Sequence, residues 1–223
     1  MDPLEATPTS VPPTSPLSED RAALLDDVCR SLDGSDTRIS RGIDRSHLEK
    51  ALPWDTDPRL VADALARAGH PPEVVRAITW EWALWTCEPE DSWPWMAQDL
   101  ARAIELMEGS TSATRVLRAL EYFPAVPKVM VPALVQVAVG RSEHNRALAQ
   151  NLLAGFPEVG DLALEAVTSP IAHVRRVGAA WLAGLTIPDG VTRLRAARAQ
   201  EDDRLARADL LRTLQAYGDD VTD

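Results

Sequence analysis

The chain has 223 residues, with 34 acidic and 23 basic side chains and a net charge of −11. That length is ample for a packed core and fits one or two domains. Two cysteines, Cys29 and Cys87, exclude a disulfide framework and a four-cysteine zinc site, and the acidic balance argues against nonspecific binding to nucleic acid or an anionic membrane. The 33 Ala and 27 Leu, against only 5% aromatic residues, predict an all-helical protein.

Residues 1–17 hold five prolines among Ser and Thr, with neither the basic start nor the apolar run of a signal peptide. This stretch is expected to be a disordered tail. No run of about 18 apolar residues follows, so no membrane span is predicted. A cytoplasmic location with reduced cysteines is the expectation.

A first helix is predicted from Ser18-Glu19-Asp20 through Leu24, Leu25, Val28 and Leu32, ended by Gly34. Residues 34–42 read as a loop, and Leu48 and Leu52 mark a short helix stopped by Pro53. Asp57-Pro58 is a cap followed by proline at the first helical position, and the helix it starts closes at Gly69. Pro71-Pro72-Glu73 starts the next, which carries Val74, Val75, Ile78, Trp82 and Trp85. Ser92 is predicted to cap a single helix with Pro94 in its first turn and Met96, Leu100, Ala103, Ile104 and Met107 along one side, ended at Gly109.

A more regular rhythm follows. A short helix is expected over 114–123, then one over 126–139 that is apolar nearly all round and reads as buried on every side. Helices over 144–156, 159–167, 173–185, 191–200 and 204–217 complete the chain. The total is about 11–12 short helices with brief connections.

The last part contains an internal repeat. Sliding residues 145–156 by 29 places Arg146 on Arg175, Leu153 on Leu182, Ala154 on Ala183 and Gly155 on Gly184. A second slide by 29 places Arg175 on Arg204, Leu182 on Leu211 and Leu185 on Leu214. The expected structure is a stack of helical hairpins sharing a continuous core, with Ala149, Gly178 and Ala208 letting helices approach closely.

The run Ser169-Pro170-Ile171-Ala172-His173-Val174-Arg175, followed by Gly178-Ala179-Ala180-Trp181-Leu182-Ala183-Gly184-Leu185, resembles a HEAT repeat. Ser169 stands where that family usually has Asp, and two extra residues precede Val174. Three further runs resemble the HEAT-like segment of large bacterial DUF4132 proteins, some described as MolR-like. They are Val137-Ala138-Val139-Gly140, Arg146-Ala147-Leu148-Ala149-Gln150, and Leu210-Leu211-Arg212-Thr213-Leu214 with Gly218-Asp219-Asp220-Val221. This likeness covers residues 110–223 and carries over no catalytic residue. It implies an all-α solenoid of stacked HEAT-like hairpins. The organisation expected is a tail over 1–17, irregular hairpins over 18–110 and regular repeats over 111–223.

His144 and His173 share a repeat position about 10 Å apart, the spacing of adjacent helices, and no HExxH or CxxC occurs. No metal or cofactor is expected. Cys29 and Cys87 read as inert thiols, and no nucleophile or phosphate-loop motif is present. Trp80, Trp82, Trp85, Trp93 and Trp95 fall within 16 residues, interleaved with Glu88, Glu90 and Asp91. They form either a bulky core patch or an aromatic anchor for a partner, whose acidic rim would favour a cationic group. The anchor reading fails if Trp80, Trp82 and Trp85 prove fully buried. Arg146, Arg175 and Arg204 form a ladder that either bonds neighbouring repeats or offers cations to a partner.

The expected function is a non-catalytic scaffold that binds a protein partner, with nucleic acid and membrane not expected as partners and the oligomeric state open. One alternative is a regulatory subunit of a DUF4132- or MolR-like system. Another is a DNA-repair glycosylase resembling the HEAT-like alkylpurine type. The charge is unevenly spread: residues 1–140 carry a net −9 and residues 141–223 only −2.

Overall fold

A computed structural model describes residues 18–23, 25–26, 52–107, 110–185, 187 and 190–219. These residues form α-helices and one 3-10 turn, with no strand among them. They fall into two compact units, divided between Pro127 and Lys128. The tail over 1–17, the loop over 34–42, Cys29, most of the first two expected helices and the stop at Gly109 lie outside the described residues.

The first unit holds α1 (Pro58–Arg67), α2 (Pro72–Thr86), α3 (Pro89–Met96), α4 (Leu100–Met107) and α5 (Ser110–Leu120). Helix α1 starts as its sequence dictates. The Asp57 side chain accepts from the Arg59 backbone N–H at 2.8 Å, and Pro58 costs nothing at a position whose N–H has no helical partner. Its end is a glycine turn: Gly69 takes φ +85°, and His70 N–H reaches back to the Leu65 carbonyl at 3.1 Å. Helix α2 packs on α1 along Val74, Ile78 and Trp82, which join Val61, Ala64 and Leu65 in one buried cluster with Leu25 and Leu52. Leu52 belongs to that cluster from an irregular segment rather than a helix.

The single helix expected from Ser92 to Met107 is two. Pro89 occupies the start of α3, so Ser92 lies inside that helix, with its hydroxyl donating to the Pro89 carbonyl at 3.1 Å. Pro94 removes one backbone donor, and α3 ends two residues later at Met96. Asp99 then caps α4 by accepting from Arg102 N–H at 3.0 Å. The apolar stripe survives the break, since Met96, Ala103 and Met107 are all buried.

The second unit begins with the 3-10 turn Lys128–Met130. It continues with α6 (Val131–Ala138), α7 (Glu143–Leu153), α8 (Val159–Val167), α9 (Ala172–Leu182), α10 (Gly190–Ala199) and α11 (Arg204–Ala216). Consecutive helices pair as three hairpins, α6 with α7, α8 with α9, and α10 with α11. In addition α9 packs on α11 and α8 on α10. Helix α6 is not buried all round. Leu134 and Ala138 are buried four residues apart, in register with Met130 of the preceding turn, while Pro132 and Gln136 are exposed. Apolar composition on every side does not require burial on every side, and one face packed on α7 satisfies this helix.

Close approach in the second hairpin rests on Gly178. A Cβ there would stand 2.8 Å from the Ala166 Cβ and from the Val167 backbone nitrogen. Ala149 stands at the corresponding place in α7 and is fully buried. Ala208 does not: it is exposed, and Leu210 occupies the buried position in α11. The sequence frame is therefore three residues out in its last copy. Buried Leu153 and Leu182 correspond to buried Leu214, not to half-buried Leu211. The α9–α10 connection is two residues longer than the α7–α8 connection, and α10 is one residue longer than α8. The true offset is 32 residues, which a fixed slide of 29 misses.

Candidate functional site

The tryptophans of the first unit divide into three groups. Trp80 and Trp82 are core residues, 3% and 2% exposed. Trp82 donates its indole N–H to the Thr56 carbonyl at 2.9 Å, and Trp80 points its own at the Met96 carbonyl at 3.5 Å. Both indoles thus satisfy their polar edge inside the fold, and neither is available as a surface anchor. The anchor expectation is corrected for these two, because α2 places them against the segment before α1 and against α3.

Trp85 is half-buried. It donates to the Glu81 carboxylate at 2.8 Å, and the Arg115 guanidinium sits over its ring, 5.2 Å from the centroid. Arg115 also donates to the Leu84 carbonyl at 3.1 Å, which ties α5 to the end of α2. This cation–π contact lies in a cavity of about 330 Å³, with Trp54 and Arg118 also in its wall.

Trp93 and Trp95, both half-buried on α3, line a larger cavity of about 650 Å³. Trp54 completes the aromatic wall. It was absent from the candidate residues because Pro53-Trp54 reads in sequence only as a helix stop, 26 residues before Trp80. The structure folds that segment back: Leu52 and Thr56 are buried, and the Trp54 ring leans on Trp82 with centroids 6.3 Å apart. Trp54 stays 44% exposed. Trp93 is braced from behind by Phe123, at 5.3 Å between centroids.

The polar part of this cavity is acidic. Among the described residues, Asp55, Asp57, Glu90 and Asp91 line it, against Arg59 as the single cation. Cys87 contributes a half-buried thiol to both cavities. Burial pushes its pKa up, Asp91 and Asp57 add to the rise, and the Thr86 hydroxyl and Arg59 oppose it. Cys87 therefore stays protonated at neutral pH and is a poor nucleophile. Glu90 also accepts from Tyr122, whose phenol its carboxylate pushes above the usual range.

The arginine ladder stands elsewhere, in the second unit, and is structural at two of its expected rungs. Arg146 donates to the Gly140 carbonyl at 3.1 Å, six residues earlier, and His173 Nε2 lies 3.3 Å from the same oxygen. Arg175 repeats the bond six residues back, to the Ser169 carbonyl at 3.0 Å. It also chelates Glu201 through two bonds of 2.6 and 2.7 Å. Glu201 is only 4% exposed, and Arg175 holds its carboxyl below the usual carboxylate range. The third rung is Arg207, which donates to the Glu201 carbonyl, again six residues back. Arg204 is exposed at the first position of α11 and does not belong to the ladder, because α11 starts 32 residues after α9. Each true rung stands four residues after its helix cap, at Ser142, Ile171 and Asp203. Arg176 and Arg193 are likewise paired, with Asp209 at 2.9 Å and Asp161 at 3.2 Å.

Among the described residues no three His, Cys, Asp or Glu side chains come together as a metal-ligand set. No described helix is long and apolar enough to cross a membrane. The chain matches no protein-family model, no curated protein and no solved structure.

Proposed function

We propose that this chain is a non-catalytic protein-interaction module, a solenoid of HEAT-like hairpins whose first unit receives part of a protein partner. The observation that carries this reading is the cavity walled by Trp54, Trp93 and Trp95. Large aromatic side chains left half in water forgo burial energy, and such residues beside a cavity are typical of interaction hot spots. Its volume falls in the range of ligand-holding clefts. The hairpin pairing of the second unit and the likeness of residues 169–185 to a HEAT repeat support the solenoid. The likeness to DUF4132 proteins makes a component of such a system the first partner to examine.

The test is affinity capture from the native cell, followed by titration of the purified partner against the wild type and a Trp54→Ala/Trp93→Ala variant. At least a tenfold weaker complex with the variant is expected. Equal binding by both forms removes the cavity from the interaction. Salt-sensitive binding of alkylated DNA by the purified chain, with release of the damaged base, overturns the non-catalytic reading in favour of a glycosylase.

A further inference from the structure

We infer that the ligand of the larger cavity is a lysine or arginine side chain presented by a basic segment of the partner. The inference rests on the protein-interaction reading and names the chemistry that the site selects. Among the described residues, three indole rings and four carboxylates line one space, with Arg59 as the opposing charge in its wall. Indole faces attract cations through the ring quadrupole, and the attraction grows as water is excluded. Carboxylates around the same opening add a Coulombic pull and repel acidic segments.

The first unit already contains this chemistry in a filled form. In the adjoining cavity the chain's own Arg115 lies over Trp85, 5.2 Å from its ring centroid, with Glu81 bonded to the indole edge. Trp54 walls both cavities. A partner's cation over Trp54, Trp93 or Trp95 would repeat, in the larger cavity, the arrangement that Arg115 makes with Trp85. The walls are held for it: Asp57 is fixed as the α1 cap, Trp54 by Trp82, and Trp93 by Phe123. Little ordering is left to be done on binding. The −9 charge of residues 1–140 draws a basic segment toward this half of the chain rather than the nearly neutral remainder.

Six of the seven tryptophans belong to the first unit, so intrinsic fluorescence reads this site directly. The full chain is titrated with a short lysine- and arginine-rich peptide, with a glutamate-rich peptide of equal length, and with tetramethylammonium chloride. The expected result is saturable change with the basic peptide alone, weakening as salt is raised. An Asp57→Asn/Asp91→Asn variant should bind the peptide at least tenfold more weakly. Asparagine keeps the α1 cap, so the fold is retained, and circular dichroism checks this. Equal binding of the acidic peptide, or unchanged affinity in the variant, overturns the inference. Saturation by tetramethylammonium with the same dependence on Asp57 and Asp91 also overturns it, by making the ligand a small free cation. A native partner that is captured equally well by the variant leaves the interaction reading standing and removes the cation from it.

Discussion

The two units solve the same packing problem with different residues. The first unit fills its core with Trp80, Trp82, Ile78 and several Leu, and its helices vary in how they pair. Bulky rings tile such a space imperfectly, and three further tryptophans are left lining a cavity of about 650 Å³. The second unit brings backbones together at Gly178, buries Ala149, and fills the rest with Leu153, Leu182, Leu194 and Leu214. Arg146, Arg175 and Arg176 bond carbonyls and buried or neighbouring acids. The regular unit pairs most of its distinctive side chains within its own hairpins, whereas in the irregular one aromatic and acidic groups line a cavity among the described residues. A repeat that stands out in the sequence is thus no guide to where the chemistry lies.

Four substitutions would break or sharpen this contrast. The largest effect is expected from Trp82→Ala, which removes a fully buried ring, the Thr56 bond and the support of Trp54. It should cost about 4 kcal/mol in chemical denaturation and collapse the cavity's affinity for any ligand. If stability falls but Trp54 keeps its fluorescence and binding, the two roles separate.

Glu201→Gln comes next, at about 3 kcal/mol, because it leaves Arg175 facing a neutral group in a largely buried setting. The pH dependence has a definite sign. Glu201 has a lower pKa in the folded chain than the ordinary 4.5. Its contribution is therefore complete above that value and is lost as pH falls through the lower folded value. Hydrogen exchange of α9 and α11 in the wild type should accelerate as pH drops below about 4.5, after correction for the intrinsic rate. The Gln variant should show less of this acid sensitivity while being weaker at neutral pH.

Gly178→Ala tests close approach in the second unit. The added methyl would meet Ala166 and the Val167 backbone at under 3 Å, so α8 and α9 must separate, at a cost of about 2 kcal/mol. The comparison fails if thermal denaturation shows the variant to be as stable as the wild type. Asp57→Ala is the mildest, about 1 kcal/mol from the lost cap. Calorimetry should detect that loss, and Asp57→Asn should restore the stability without restoring the negative charge.

Local sequence signals hold where one residue decides the outcome. Asp57-Pro58 starts α1, Pro72 opens α2, and the 159–167 helix has the predicted bounds. Errors came where two local signals compete or where a count drifts. Pro89 and Pro94 both mark helix starts, and the structure uses Pro89 as the start and Pro94 as the approach to the end. Arg204 and Arg207 both offer an arginine to the repeat frame, and only the distance from the Asp203 cap distinguishes them.

The helical class, the caps, the close contact at Gly178 and the existence of a repeated hairpin were determined by the sequence itself. They follow from propensity, φ restrictions and side-chain size acting over a few residues. Which tryptophans are core and which line a cavity was decided by tertiary structure alone. Trp54 and Trp93 are 39 residues apart along the chain, and they share a wall only because Thr56 accepts from Trp82 and brings its segment back over α2. The same holds for Arg175 and Glu201, which meet across 26 residues once α9 packs on α11. Composition and spacing say what each side chain prefers, but contacts between distant segments choose which preference is met.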